Sequence, residues 1–304
     1  MKKIFVAATI LVLLGMNNVS DKLLSVVNLK TQLHINGEAA VVLNADNGEL
    51  IYEKNADQAL SPSSMTKMMS SYLILEAIKD QQLDWNDLVP ISSYAEMISQ
   101  DLSLSNVPLK KGNPYTVREL FEAMLIYSAN GATIALAEKL TGTEEEFINH
   151  MNKKANELEL ETYKFINCTG LNNRDLKGMH PKGTDKDDEN VMSAKSTGLL
   201  ALHLVKDYPE ILEVTQIPRL IFQAGTNHSI EMENWNWMLT GQKYEYPGMD
   251  GLKTGSTEDG GYSFASTAVK NGERLITVVM KTSSRDERFI ETRKLLDYGF
   301  NVLN

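Results

Sequence analysis

There is one cysteine, Cys168, in 304 residues, so no disulfide framework can hold this chain together. It is followed by Thr169 and Gly170, with no second cysteine or paired histidine, and is expected to be a small packing residue. Positive charge is also in short supply: 30 Lys and Arg face 40 Asp and Glu, a net charge of −10. A protein that neutralises phosphates needs a basic face, which the pairs Lys110-Lys111 and Lys153-Lys154 do not supply. Nucleic acid is therefore excluded as a partner, and those lysines are expected on solvated surface. The five histidines, His34, His150, His180, His203 and His228, show neither metal spacing nor a Ser-His-Asp arrangement, so no metal or other cofactor is expected. Repeats and low-complexity linkers are missing as well.

The most apolar stretch, IFVAATILVLLGM after Met1-Lys2-Lys3, is too short for an ordinary membrane span and has the layout of a secretory leader. Residues 1–20 are read as a signal peptide or N-terminal anchor. If it stays uncleaved, it associates the protein with the membrane. Residues 21–304 are read as one domain, long enough to bury a large core, and 42% of the whole chain is hydrophobic.

EAAVVLNADNGELIYEKNAD is two β-rich runs around Asn47-Gly48, a hairpin over 38 to about 54. A helix is expected from about Ser64. Thr116 with Glu119, and Thr143 with Glu146, have capping-box spacing, so the middle of the chain is mainly helical. Strands return near residue 248 with GMDGLKTGST, GYSFASTAV and RLITVVM, the last two separated at Asn271-Gly272, and SRDERFIETRKLLDYGF forms a final helix. Strands at both ends with helices between them predict an α+β fold, an α/β sandwich whose sheet is built from N- and C-terminal strands.

The chemistry starts at LSPSSMTKMMSSYLILEAI, where Ser64 and Lys67 are three residues apart at a helix start and share a face. A lysine among apolar side chains loses hydration of its ammonium form, its pKa falls, and it can take a hydroxyl proton. The helix start also offers backbone N–H groups where negative charge would develop. Alone, this pattern is better read as a capping serine with a snorkelling lysine. Ser128-Ala129-Asn130 and Lys253-Thr254-Gly255 follow in the order of the Ser-x-x-Lys, Ser-x-Asn and Lys-Thr-Gly triple of serine acyl-transfer enzymes. Against that triple, Asn130-Gly131 as a plain turn and Lys253 as an edge-strand solubiliser are the weaker alternatives.

With SPSSMTKMM, LIYSANGATIALAE, FINCTGL, MSAKSTGLLA, NWNWML and GMDGLKTGST in this order, the chain resembles the D-alanyl-D-alanine carboxypeptidases over residues 36 to 302. These are low-molecular-mass penicillin-binding proteins of serine peptidase type. The resemblance implies a β-lactamase/transpeptidase-like fold with a mainly antiparallel sheet covered by helices. It also implies a peptidoglycan stem peptide ending in D-Ala-D-Ala as substrate, β-lactam antibiotics as covalent inhibitors, and a location outside the cytoplasmic membrane, in the cell wall or periplasm.

By the same resemblance Ser64 is the nucleophile and Lys67 its base. Ser128 relays a proton to the leaving group, and Asn130 orients Lys67 and the substrate amide. Lys253 and Thr254 face the substrate carboxylate, and the N–H groups of Ser64 and Ser256 form the oxyanion hole. Gly255 is expected to let a substrate backbone lie close to the strand. Ser256 departs from the family, where a histidine or aromatic residue is common; many relatives continue into a small β-rich domain and an amphipathic anchor beyond the point where this sequence stops at Asn304, so either this member lacks them or the sequence is truncated. A class A-like β-lactamase needs a glutamate to activate water, and no such loop is evident. A transpeptidase differs only in the acyl acceptor. A non-catalytic wall- or penicillin-binding module would be favoured by a lost nucleophile or base, and both are present.

Overall fold

The computed structural model describes residues 33–303; the expected leader, residues 1–20, lies outside them. Strands β1 (Ala39–Asn44) and β2 (Leu50–Lys54) come first, joined through Asn47-Gly48 as expected. A 3-10 turn over Ser63–Thr66 leads straight into α1 (Lys67–Lys79). Helices α2 (Ser93–Ser99), α3 (Val117–Ile126), α4 (Asn130–Thr141) and α5 (Glu144–Glu157) follow. Next come the short strands β3 (Tyr163–Lys164) and β4 (Val191–Met192), helices α6 (Ala194–Asp207) and α7 (Ile211–Thr215), and the hairpin of β5 (Arg219–Phe222) and β6 (Ile230–Glu233). The long strands β7 (Met249–Thr257), β8 (Gly261–Lys270) and β9 (Glu273–Thr282) precede α8 (Arg285–Leu303).

The main sheet has the order β2-β1-β9-β8-β7 and is antiparallel throughout. The N-terminal hairpin joins the C-terminal meander where β1 pairs with β9, Ala39 opposite Met280 and Asn44 opposite Leu275. All six residues of β1 are buried because both sheet faces are covered. Side chains alternate between faces, so Val41 and Leu43 enter the core under the helical body while Ala40 and Val42 enter the one under α8. α1 runs through the helical body with ten of its 13 residues buried, which is why its sequence is apolar on every side.

Local expectations hold in part. Thr116 and Glu119 form the complete reciprocal cap of α3. At α5, Thr143 accepts the Glu146 N–H, but the Glu146 carboxylate turns to Asn149 and His150 and leaves the box half made. Lys154 is not solvated surface: it pairs with Glu76 at 2.8 Å and with Glu157, and lies over the Tyr72 ring. The mainly helical middle also contains two small hairpins, β3–β4 and β5–β6.

Candidate active site

Pro62 starts the 3-10 turn with φ −75°, the value its ring enforces. Ser64 sits half-buried in that turn, and Lys67 is the first residue of α1. Lys67 Nζ lies 3.1 Å from Ser64 Oγ, 2.8 Å from Asn130 Oδ1 and 2.6 Å from the Thr169 carbonyl oxygen. The lysine has no solvent exposure and, among the described residues, no carboxylate partner, so burial lowers its pKa to about 7, with the Cys168 thiol a smaller opposing influence. At neutral pH a large fraction of it is a free amine, the form that can accept a proton from Ser64.

Ser128 and Asn130 come from the corner between α3 and α4. Ser128 holds φ +60°, an uncommon conformation for a serine, and its Oγ is buried without a partner among the described residues. Asn130 Nδ2 donates to the Ser105 carbonyl, which leaves Oδ1 for Lys67. Both residues line a cavity of about 380 Å³ that also holds Ser64 and, from β7, Thr254, Gly255 and Ser256. Leu102 to Ser105, Tyr127, Leu171, Trp235, Arg285 and Arg288 complete its wall.

Lys253 is one layer back from that wall. It is 2% exposed, and its Nζ donates to the Thr254 carbonyl at 3.2 Å, so it is no edge-strand solubiliser. Burial, and then the charges of Lys67 and Arg288, push its pKa well down. Gly255 has a packing reason besides the substrate approach expected of it. A side chain there would meet the Pro62 carbonyl at 2.7 Å and Met65 N at 3.2 Å, so the glycine lets β7 lie against the turn that carries Ser64. Cys168 is fully buried packing, as expected, with its N–H donating to Glu144 and its carbonyl accepting from Ser70.

Two functional features were missed from sequence. Arg288 of α8 is 2% exposed, donates to the Gly255 carbonyl at 3.3 Å, and has a buried Nε without a partner among the described residues. Burial and Arg285 push its pKa down to about 9, so it stays charged at neutral pH. Its signal was available: it falls on the buried stripe Arg288, Thr292, Leu295, Leu296 and Gly299, where an arginine needs a partner. The second feature is the Thr169 carbonyl, which has no side-chain signature. Lys67, Lys253, Arg285 and Arg288 thus converge in a protein of net charge −10, and among the described residues no carboxylate lines the cavity. Such a site suits an anionic ligand.

An antiparallel sheet backed by one C-terminal helix, with a Ser-x-x-Lys turn packed against its edge strand, is the layout of the penicillin-binding-protein and β-lactamase-like class. The chain belongs to the D-alanyl-D-alanine carboxypeptidase family, whose sequence model matches residues 26–284. It is similar to D-alanyl-D-alanine carboxypeptidase DacF of Bacillus subtilis, 33% identical over 271 residues that cover 89% of this chain and 64% of that protein. The chain therefore spans less than two thirds of that curated relative.

Among solved structures, penicillin-binding protein 3 of Streptococcus pneumoniae superposes with a TM-score of 0.83 at 37% identity, covering 88% of this chain and 74% of that one. Penicillin-binding protein D2 of Listeria monocytogenes in its ampicillin-bound form has a TM-score of 0.73 at 31% identity, covering 88% and 99%. The expected α+β fold and family are both found.

Proposed function

We propose that this protein is a serine D-alanyl-D-alanine carboxypeptidase that removes the terminal D-Ala from peptidoglycan stem peptides through a Ser64 acyl-enzyme, and that β-lactams acylate the same serine. The contact of a fully buried Lys67 with Ser64 carries this reading, because it supplies a base of suitable strength next to a hydroxyl nucleophile.

In this reading the substrate carboxylate lies against Thr254 and Arg288, with the Lys253 amine buried behind them. Lys67 takes the Ser64 proton as Oγ attacks the penultimate D-Ala carbonyl, and the backbone N–H groups of Ser64 and Ser256 stabilise the oxyanion. The unpartnered Ser128 hydroxyl passes a proton to the departing amine. Water then attacks the ester, the proton path reverses, and Ser64 is regenerated.

Among the described residues no carboxylate lines the cavity, which favours this reading over a class A-like β-lactamase, whose deacylating water needs a glutamate. We place the enzyme outside the cytoplasmic membrane, where its substrate is, with residues 1–20 as leader or anchor. The test is to incubate the protein with a pentapeptide ending in D-Ala-D-Ala and follow free D-alanine by mass, with penicillin labelling in parallel. One D-alanine per peptide and one label on the Ser64 peptide are expected. Release or labelling that survives Ser64→Ala refutes the assignment.

A further inference from the structure

Lys67 Nζ has three neighbours, and they are not equivalent. Asn130 Oδ1 and the Thr169 carbonyl can only accept hydrogen bonds, whereas the Ser64 hydroxyl can donate. A neutral amine has two N–H bonds and one lone pair. When its two hydrogens go to Asn130 and Thr169, the lone pair is left pointing at Ser64, which is the arrangement proton abstraction needs. The direction of the Thr169 carbonyl therefore sets the direction of the base.

That carbonyl is held from the far side of its own peptide unit. The peptide is planar, with C=O and N–H on opposite sides, so fixing one fixes the other. Gly170 N–H donates to Asn167 Oδ1 at 2.8 Å, and the same oxygen takes Thr169 N–H at 3.1 Å and the Thr169 hydroxyl at 2.9 Å. Asn167 Nδ2 donates to the Leu171 carbonyl at 2.8 Å, which fixes which end of the amide is oxygen. Asn167 is fully buried, and Asn190 ties its backbone at both N–H and C=O. Gly170 has φ +81°, and a Cβ there would overlap the Ser63 carbonyl, so this turn is pressed directly onto the turn that carries Ser64.

We propose that Asn167 is a positioning residue that aims the lone pair of neutral Lys67 at the Ser64 hydroxyl, acting through the Thr169–Gly170 peptide. The inference rests on the proposed acyl-enzyme chemistry and adds to it a group that touches neither substrate nor nucleophile. The titratable groups around Lys67 are Lys253 of β7, with Arg288 of α8 beside it, and the Cys168 thiol, with Glu144 of α5 behind it. None of them hydrogen-bonds to the Asn167 side chain, so an Asn167 variant leaves those charges in place.

The test is the rate of acylation by a fluorescent penicillin from pH 5 to 9 for the wild type, Asn167→Ala and Asn167→Asp, with thermal melts to measure the folded fraction. In Asn167→Ala the released peptide no longer orients the amine, and the plateau rate should fall about 10- to 100-fold. Its acid limb should move down by roughly half to one pH unit, because the lost carbonyl bond favoured the ammonium over the amine. Asn167→Asp keeps the accepting oxygen and adds negative charge, so its plateau should stay above that of alanine while its acid limb moves up.

Purely structural damage would lower the rates in proportion to unfolded protein and leave both limbs where they are in the wild type; that result overturns the proposal. Should the alanine protein not fold, the aspartate protein decides alone, and an unmoved limb overturns it. A wild type that takes no label overturns the functional reading as well, whereas a labelled wild type with unmoved limbs overturns only the role of Asn167.

Discussion

Replacing Lys67 with methionine should weaken the rise of stability with pH, and the size of the effect follows from burial. The amine titrates at about 7 in the folded protein and at the ordinary 10.5 when unfolded. Between those values the unfolded chain binds more protons, so the lysine's cost to folding is complete below pH 7 and is relieved as pH rises toward 10.5. At about 1.4 kcal/mol per pH unit the cost is about 4 kcal/mol at pH 7 and about 2 kcal/mol at pH 9.

Methionine has similar length and no charge. It leaves Asn130 Oδ1 and the Thr169 carbonyl without their donor, a penalty of about 1–3 kcal/mol for each that does not depend on pH. Lys253 titrates in both proteins and cancels, apart from its repulsion with Lys67. Urea unfolding at pH 7 and pH 9 should therefore show the stability of Lys67→Met relative to wild type falling by about 2 kcal/mol between the two. A difference that stays flat would mean that folding leaves the lysine's pKa near its ordinary 10.5, as for a solvated ammonium, and the base assignment would lose its physical ground.

Lys253→Ala and Arg288→Ala should slow turnover of a free-acid peptide far more than that of its C-terminal amide. A charge-assisted bond of about 1.5–3 kcal/mol corresponds to about 10- to 150-fold; equal slowing of acid and amide would show that neither cation holds the carboxylate. Gly255→Ala puts a methyl 2.7 Å from the Pro62 carbonyl and should separate β7 from the Ser64 turn. Roughly 1–3 kcal/mol of stability and most penicillin labelling should go with it, and a labelled variant with an unchanged Tm would refute the close approach.

How far the sequence could be read depended on whether a feature has a side chain to announce it. Ser64 with Lys67, Ser128 with Asn130, and the β7 motif were legible because spacing places them and chemistry names them. The sheet was legible because β1, β8 and β9 are buried on both faces and carry runs of apolar, β-branched and small residues bounded by turn signals. The Thr169 carbonyl was not, since every residue has one and only the fold decides where it points. Gly255 was noticed for a ligand approach, yet the close neighbour is the protein's own 3-10 turn, a contact between residues far apart in the chain. Lys154 was assigned to solvent from composition, which carries no information about Glu76 on another helix. Arg288 lay within reach, because its place in a buried stripe marks it as a cation that needs an anion.

The strand order also bears on when the chemistry can begin during the life of a nascent chain. Ser64, Lys67, Ser128 and Asn130 are all synthesised in its first half, but the centre of the sheet is β1 beside β9, so Ala39 waits for Met280 before the sheet can close. Pairings this distant are made late in folding. Until β7 arrives to lie against the turn that carries Ser64, the site has only part of its wall, so a chain still emerging carries its nucleophile in an unfinished pocket. The reactive serine is armed by completion of the fold, which keeps an unfinished molecule from being spent on an acyl group it could not release.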